Sequence, residues 1–93
     1  MSYSFSVAAD TKAEAKVQIA AEFDRIVSTQ PIHAADREVA QGAAESFVDL
    51  VSEPAENQTL VVNVHGSVSW LNEDDFQGAN VGIGVQIVAK AQE

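Results

Sequence analysis

The side chains with most chemical reach in this sequence are two histidines, His33 and His65, an acidic run at Asn72-Glu73-Asp74-Asp75, and acids at Glu38, Glu45, Asp49, Glu53 and Glu56. His65 sits in Asn63-Val64-His65-Gly66-Ser67-Val68-Ser69, so a serine–histidine pair is the first chemistry to weigh. Nucleophilic catalysis needs the base within hydrogen-bond reach of the hydroxyl, a third group to orient the imidazole, and donors for an oxyanion. Side chains two apart on a strand stand parallel and do not point at each other. No acid shares their parity, so the sequence predicts an exposed strand histidine and no catalytic residue. His33, just after Pro31, reads as a helix-start residue.

The run Asn72 to Asp75 offers oxygen ligands for a cation. It lacks the alternating acids and turn glycine of a calcium loop, although Gly78 is near. Two dispersed histidines do not make a zinc site. The chain has no cysteine, which removes thiolate metal sites, disulfides and a thiol nucleophile. Gly82-Ile83-Gly84 has the glycine spacing of a dinucleotide fingerprint, but those glycines belong in a strand-to-helix turn and these fall inside a strand. Asn57-Gln58-Thr59 is a glycosylation sequon only in a secreted chain. No metal and no cofactor is expected.

The acids at Glu38, Glu45 and Asp49 share one face of a helix, and Glu53 continues their line beyond it. Helical neighbours four apart lie about 6 Å apart. That spacing is near the one between phosphates on a nucleic-acid strand, so the stripe could act as a nucleic-acid mimic toward a basic protein. A solvated helix face is the plainer reading.

These groups are positioned by a chain of 93 residues, 46% hydrophobic, with 14 acidic and 5 basic side chains and a net charge of −9. Length and composition predict a single α+β domain over 1–93. Direct nucleic-acid binding through phosphates needs clustered Lys and Arg, whereas Lys12, Lys16, Arg25, Arg37 and Lys90 are scattered. Binding to anionic membranes is disfavoured for the same reason. No stretch approaches the ~18 apolar residues of a membrane span, and no signal peptide is visible. The expected location is the cytoplasm, a host's if the protein is viral.

Strict alternation over 2–9 places Tyr3, Phe5, Val7 and Ala9 on one side and Ser2, Ser4, Ser6 and Ala8 on the other, which predicts a half-buried strand. Thr11 and Glu14 fit a capping box opening a helix from about 12 to 28, with Lys16 (its stem), Ile19, Ala20, Phe23, Ile26 and Val27 inward. Ser28 to Pro31 breaks it. A second helix runs from about 33 or 34 to 51, with Val39, Ala40, Ala43, Phe47, Leu50 and Val51 as its apolar stripe. Gly42 inside it is either a tolerated weakness or a site of close packing against the first helix. A strand from Thr59 to Trp70 turns Leu60, Val62, Val64, Val68 and Trp70 inward. A polar connection follows, then a last strand over about 80–89 with Val81, Ile83, Val85 and Ile87 inward.

The order β-α-α-β-β with one apolar side per element predicts a two-layer sandwich. Its sheet is three-stranded and mainly antiparallel, with both helices packed on one face. Strand 1 is expected beside strand 2 in preference to strand 3, because antiparallel pairs are commoner. This leaves the second sheet face uncovered, carrying Ser4, Ser6, Val61, Asn63, His65, Ser67, Gly82, Gly84 and Gln86. These are small and nearly uncharged, where a solvated sheet face normally carries long polar or charged side chains. Glycine within a strand often marks a close approach by another backbone.

The leading expectation is therefore a non-enzymatic protein–protein interaction or assembly module, self-associating through the Ser/Gly face or edge of its sheet. The first alternative is a small acidic regulator, such as a phage-type accessory protein, meeting a basic nucleic-acid-handling protein through Glu38, Glu45, Asp49 and Glu53. The second is a small enzyme or ligand-binding domain using His65.

Overall fold

The computed structural model describes residues 2–29, 32, 34–70 and 76–90, the last two segments including 68–70 and 76–79 as backbone only. The elements are β1 (Ser2–Ala9), α1 (Lys12–Thr29), α2 (Ala34–Leu50), β2 (Gln58–Trp70) and β3 (Phe76–Ala89). They form an α+β sandwich with an open, antiparallel sheet of order β1-β2-β3. His33 and the Asn72 to Asp75 run lie outside the described residues, as does the side chain of Trp70 with its expected inward placement.

The sheet is pinned by its inner face. Leu60, Val62 and Val64 are fully buried on the central strand, and Val7 and Ala9 are buried beside them on β1. Tyr3 and Phe5 meet the fully buried Phe23 edge-on, with ring centroids at 5.8 and 5.3 Å. Such pairs contribute about 0.5–1.5 kcal/mol each beyond the area they bury. Tyr3 lies opposite Gly66, and a methyl group built on Gly66 would overlap the phenol ring. Glycine is there because an aromatic ring from the next strand fills its space.

α1 opens with the predicted Thr11 cap, but the return bond of the capping box comes from Asp10 and not from Thr11. The Thr11 hydroxyl accepts from the Glu14 N–H at 3.0 Å, while the Glu14 carboxylate reaches back to the Asp10 N–H at 3.4 Å. Ala15, Ile19, Phe23 and Ile26 are buried, with Lys16, Ala20 and Val27 half-buried at the margin. Glu22 and Arg25 pair on the exposed side of the helix at 2.7 Å.

α2 runs antiparallel to α1 and is rotated from the sequence reading. Its buried residues are Ala40, Ala44 and Val48, not Val39, Phe47 and Leu50, which are 71%, 46% and 80% exposed. One residue is about 100° of helix. α2 lies between α1 and the inner face of β3, and two alanines allow an approach that Phe47 would block. Gly42 is exposed with no atom near its absent Cβ, so it is a tolerated weakness and not a contact with α1.

The helix seam is electrostatic. Lys16 pairs with Asp49 at 2.6 Å and Arg37 with Asp24 at 2.6 Å. The Lys12 N–H donates to Glu53, and the Lys12 ammonium donates to the Asp49 carbonyl. An acid thus sits at the positive start of α1 and a cation at the negative end of α2.

β3 begins at Phe76, earlier than the predicted 80, because β2 continues to Trp70 and its backbone needs a partner there. The ladder is regular from Gln58↔Ala89 to Ser69↔Gly78 and slips only between Ser69 and Trp70. The radius of gyration is 14.6 Å, where a compact 93-residue domain has about 12 Å. The long β2–β3 pair, which outruns β1, accounts for the elongation.

Candidate interaction surface

The register sorts the outer face of the sheet into rows that cross all three strands. Ser4, His65 and Gly82 form one row; Ser6, Asn63 and Gly84 the next; Ala8, Val61 and Gln86 the third. Ser2, Ser67 and Asn80 continue the pattern at one end. Neither helix covers this side. Ser4, Ser6, Asn63, His65, Gly84 and Gln86 are exposed, and Val61, Ser67 and Gly82 are half-buried.

No strand contains an Asp, Glu, Lys or Arg. Every one of those side chains lies on the helices, the connections or the chain ends. The helices carry seven acidic and four basic side chains and the connections and ends seven and one, whereas the ionisable side chains of the strands are Tyr3, facing inward, and His65, facing outward.

The two glycines of this face differ. A methyl group on Gly82 would overlap the His65 imidazole, so Gly82 lets that ring lie flat toward β3. Gly84 has nothing within 4 Å of its absent Cβ. No described glycine has a positive φ, so backbone conformation does not require either. The fold itself supplies a reason for Gly66 and Gly82 and none for Gly84.

An open dish of about 680 Å³ surrounds His65, between Ser4 and Gly82. Ser4 is the direct cross-strand neighbour of His65, closer in register than Ser67, a pairing that spacing within one strand could not reveal. The imidazole lies over Gly82, and among the described residues no carboxylate shares the face to orient it. Among the described residues no three metal-ligating side chains cluster.

The acidic residues of α2 are partly engaged within the fold. Asp49 is held below the usual carboxylate range, first by its hydrogen bond to Lys16, and Lys16 is raised by the same contact. Glu53 accepts from the Lys12 N–H. Of the predicted stripe, Glu38 and Glu45 have no hydrogen bond or ion pair among the described residues.

Sequence reasoning missed the flank of α2 that looks past β3. Because Ala40, Ala44 and Val48 face inward and Arg37 and Gln41 face α1, Val39, Ala43, Phe47 and Leu50 lie on the side away from α1. A second 3–4 stripe one residue from the buried one was the available signal. Comparison with protein-family models, with curated proteins and with solved structures found no match.

Proposed function

We propose that this chain is a non-enzymatic protein–protein interaction or assembly module that presents its uncharged sheet face to a protein partner, and that the partner is a second copy of itself. The observation that carries this reading is the segregation of charge. A chain of net charge −9 keeps one whole sheet face free of charged groups and lines it with serine and glycine. Repulsion between like-charged copies is least where neither brings charge to the contact. Gly84 supports the reading, since a glycine that weakens its strand has a use if another backbone lies over it. The same reading places the protein in the cytoplasm, a host's if it is viral.

The alternative of an acidic regulator has less to work with, because Asp49 and Glu53 already serve the α1–α2 seam. An enzyme at His65 would have no orienting carboxylate among the described residues.

Asn63→Lys tests the proposal at the centre of the face. Sedimentation equilibrium at tens of micromolar is expected to give a native mass above the 9.9 kDa of one chain, which Asn63→Lys halves. A native mass that Asn63→Lys leaves unchanged overturns it.

A further inference from the structure

We infer that the chain dimerises through the open edge of β3, pairing antiparallel with β3 of a second copy across a two-fold axis perpendicular to the sheet, so that two three-stranded sheets become one of six strands. The inference deepens the assembly reading by naming a second surface, and its geometry is independent of the face.

The backbone comes first. The Lys90 N–H donates to the Asn57 carbonyl at 2.9 Å, which makes Asn57 and Lys90 a hydrogen-bonded pair. Antiparallel ladders alternate such pairs with non-bonded ones. Counting along the regular register, the N–H and C=O groups of Ile83, Val85 and Ile87 point out of the sheet, past its edge. No described strand lies there to receive them. An edge strand is normally blunted by a charge, a proline, a bulge or shortness. β3 has 14 residues, no charged residue, no proline, and its one irregularity lies at the far end near Trp70.

The two edges of the sheet are treated differently. Beyond β1, the outer flank of α1 carries Glu14, Gln18, Glu22 and Arg25, tied together by hydrogen bonds from Gln18 to Glu14 and from Arg25 to Glu22. Beyond β3, the outer flank of α2 carries Val39, Ala43, Phe47 and Leu50. Five of the six large hydrophobic side chains exposed among the described residues are on α2 or β3: Val39, Phe47, Leu50, Val81 and Val88. On the inner face, Ile83, Val85 and Ile87 stay half-exposed while their counterparts on β2 are fully buried. One edge is guarded by charge, and the other is apolar from helix to strand except for Asp36 at the start of α2, which lines the same hollow as Val39 and Val81.

A second copy is the occupant that fits. A two-fold perpendicular to the sheet pairs β3 with itself and sets both helical layers on the same side, so each α2 flank meets the other. The contact is isologous and closed, and it leaves no further β3 edge. Charge allows it, because Glu38, Glu45 and Asp49 lie toward α1, away from the junction. Size allows it as well. A strand of 14 residues presents a front about 48 Å long. α2 stands behind about 26 Å of that front; over that length the 16 Å least dimension gives about 410 Å², and the bare strand beyond it adds about 100 Å², so two copies bury roughly 1,000 Å² in all, the lower bound for a specific interface.

Edge pairing has its two-fold normal to the sheet and face pairing has one lying in it. Where the two axes intersect they generate a closed tetramer of dihedral symmetry. Sedimentation equilibrium of four proteins separates them. Wild type is expected at four times the 9.9 kDa chain mass, Asn63→Lys and Phe47→Glu each at twice, and the double variant at one chain. Val85→Pro deletes an outward N–H where an edge strand tolerates proline, and is expected to match Phe47→Glu; circular dichroism checks that both fold. A wild type of two chains that Phe47→Glu splits and Asn63→Lys does not keeps the edge dimer and refutes the face. A mass that falls with Asn63→Lys but not with Phe47→Glu overturns the edge dimer, as does a wild-type monomer at 100 µM, where "100" is about ten times the concentration a roughly 10 µM dimer needs.

Discussion

Gly84→Thr separates the needs of the fold from the needs of a contact. The Cβ position of Gly84 meets no atom within 4 Å and its φ is not positive, so a side chain there is free of clash and of backbone strain. Glycine in a strand is about 0.5–1 kcal/mol less favourable than alanine, and threonine stands near the top of a strand-propensity range of about 1 kcal/mol. The isolated chain is therefore expected to gain about 1 kcal/mol, out of roughly 5–14 kcal/mol for a domain of this length. With a urea dependence of about 1.5 kcal/mol per molar, the midpoint moves up by about 0.7 M. The assay is urea unfolding with and without Gly84→Thr at a concentration low enough to keep the chains apart, so that Asn63 opposite Gly84 stays in place, followed by the native mass of Gly84→Thr at high concentration. A branched side chain in the middle of the face should lower that mass while the isolated chain becomes more stable. If Gly84→Thr leaves the isolated chain unchanged or weaker, the glycine has a role within the fold, and its use as an argument for contact fails.

Phe23→Leu is expected to destabilise by about 2 kcal/mol, because it removes the ring that Tyr3 and Phe5 meet and leaves a partial cavity; a loss under about 0.5 kcal/mol in denaturant unfolding would contradict the packing described. The Tyr3 phenol is raised above its ordinary pKa by burial and then by Asp36, so its share of stability is complete below pH 10.0 and is lost as pH rises through the higher folded value. Tyr3→Phe should therefore flatten the alkaline limb of a stability–pH curve, leaving the part due to Lys16, which is lost in the same direction; an unchanged limb refutes the assignment. Asp49 is held below its ordinary value, so its contribution is present above the unfolded carboxylate value of 3.8 and is lost as pH falls through the lower folded value. Asp49→Asn should remove a small acid-limb dependence, small because both partners are exposed to solvent.

Much of this architecture is legible in the sequence, and the limits are physical. Alternation in β1 and β2 fixes which side chains face inward, because a strand has only two sides to choose between. A helix has no such restriction. In α2 the positions 39, 43, 47 and 50 and the positions 40, 44, 48 and 51 are both apolar at helical spacing, and the larger residues fall on the wrong one. Hydrophobicity favours Phe47 and Leu50, while close packing between α1 and the sheet favours Ala40 and Ala44. The start of β3 was hidden because Gly78 and Asn80 read as turn residues, whereas ladder pairing with the end of β2 extends the strand through them. The composition of the open face was readable throughout. The edge of β3 was not, because a strand order is needed before an edge exists.

The strand order also sets the sequence of events in folding. Only five residues of sequence separate the end of β2 from the start of β3, so bringing the two strands together costs about 1–2 kcal/mol of loop entropy. β1 pairs with a strand far along the chain, Ala9 opposite Leu60 and Ser2 opposite Ser67. Closing that span of about 50 residues costs about 3.5 kcal/mol, and only then do Val7 and Ala9 find their neighbours. The hairpin and the helix pair form early and β1 docks late. Until it does, β2 is bare on its other side as well, and a chain caught at that stage exposes an empty slot the width of a single strand.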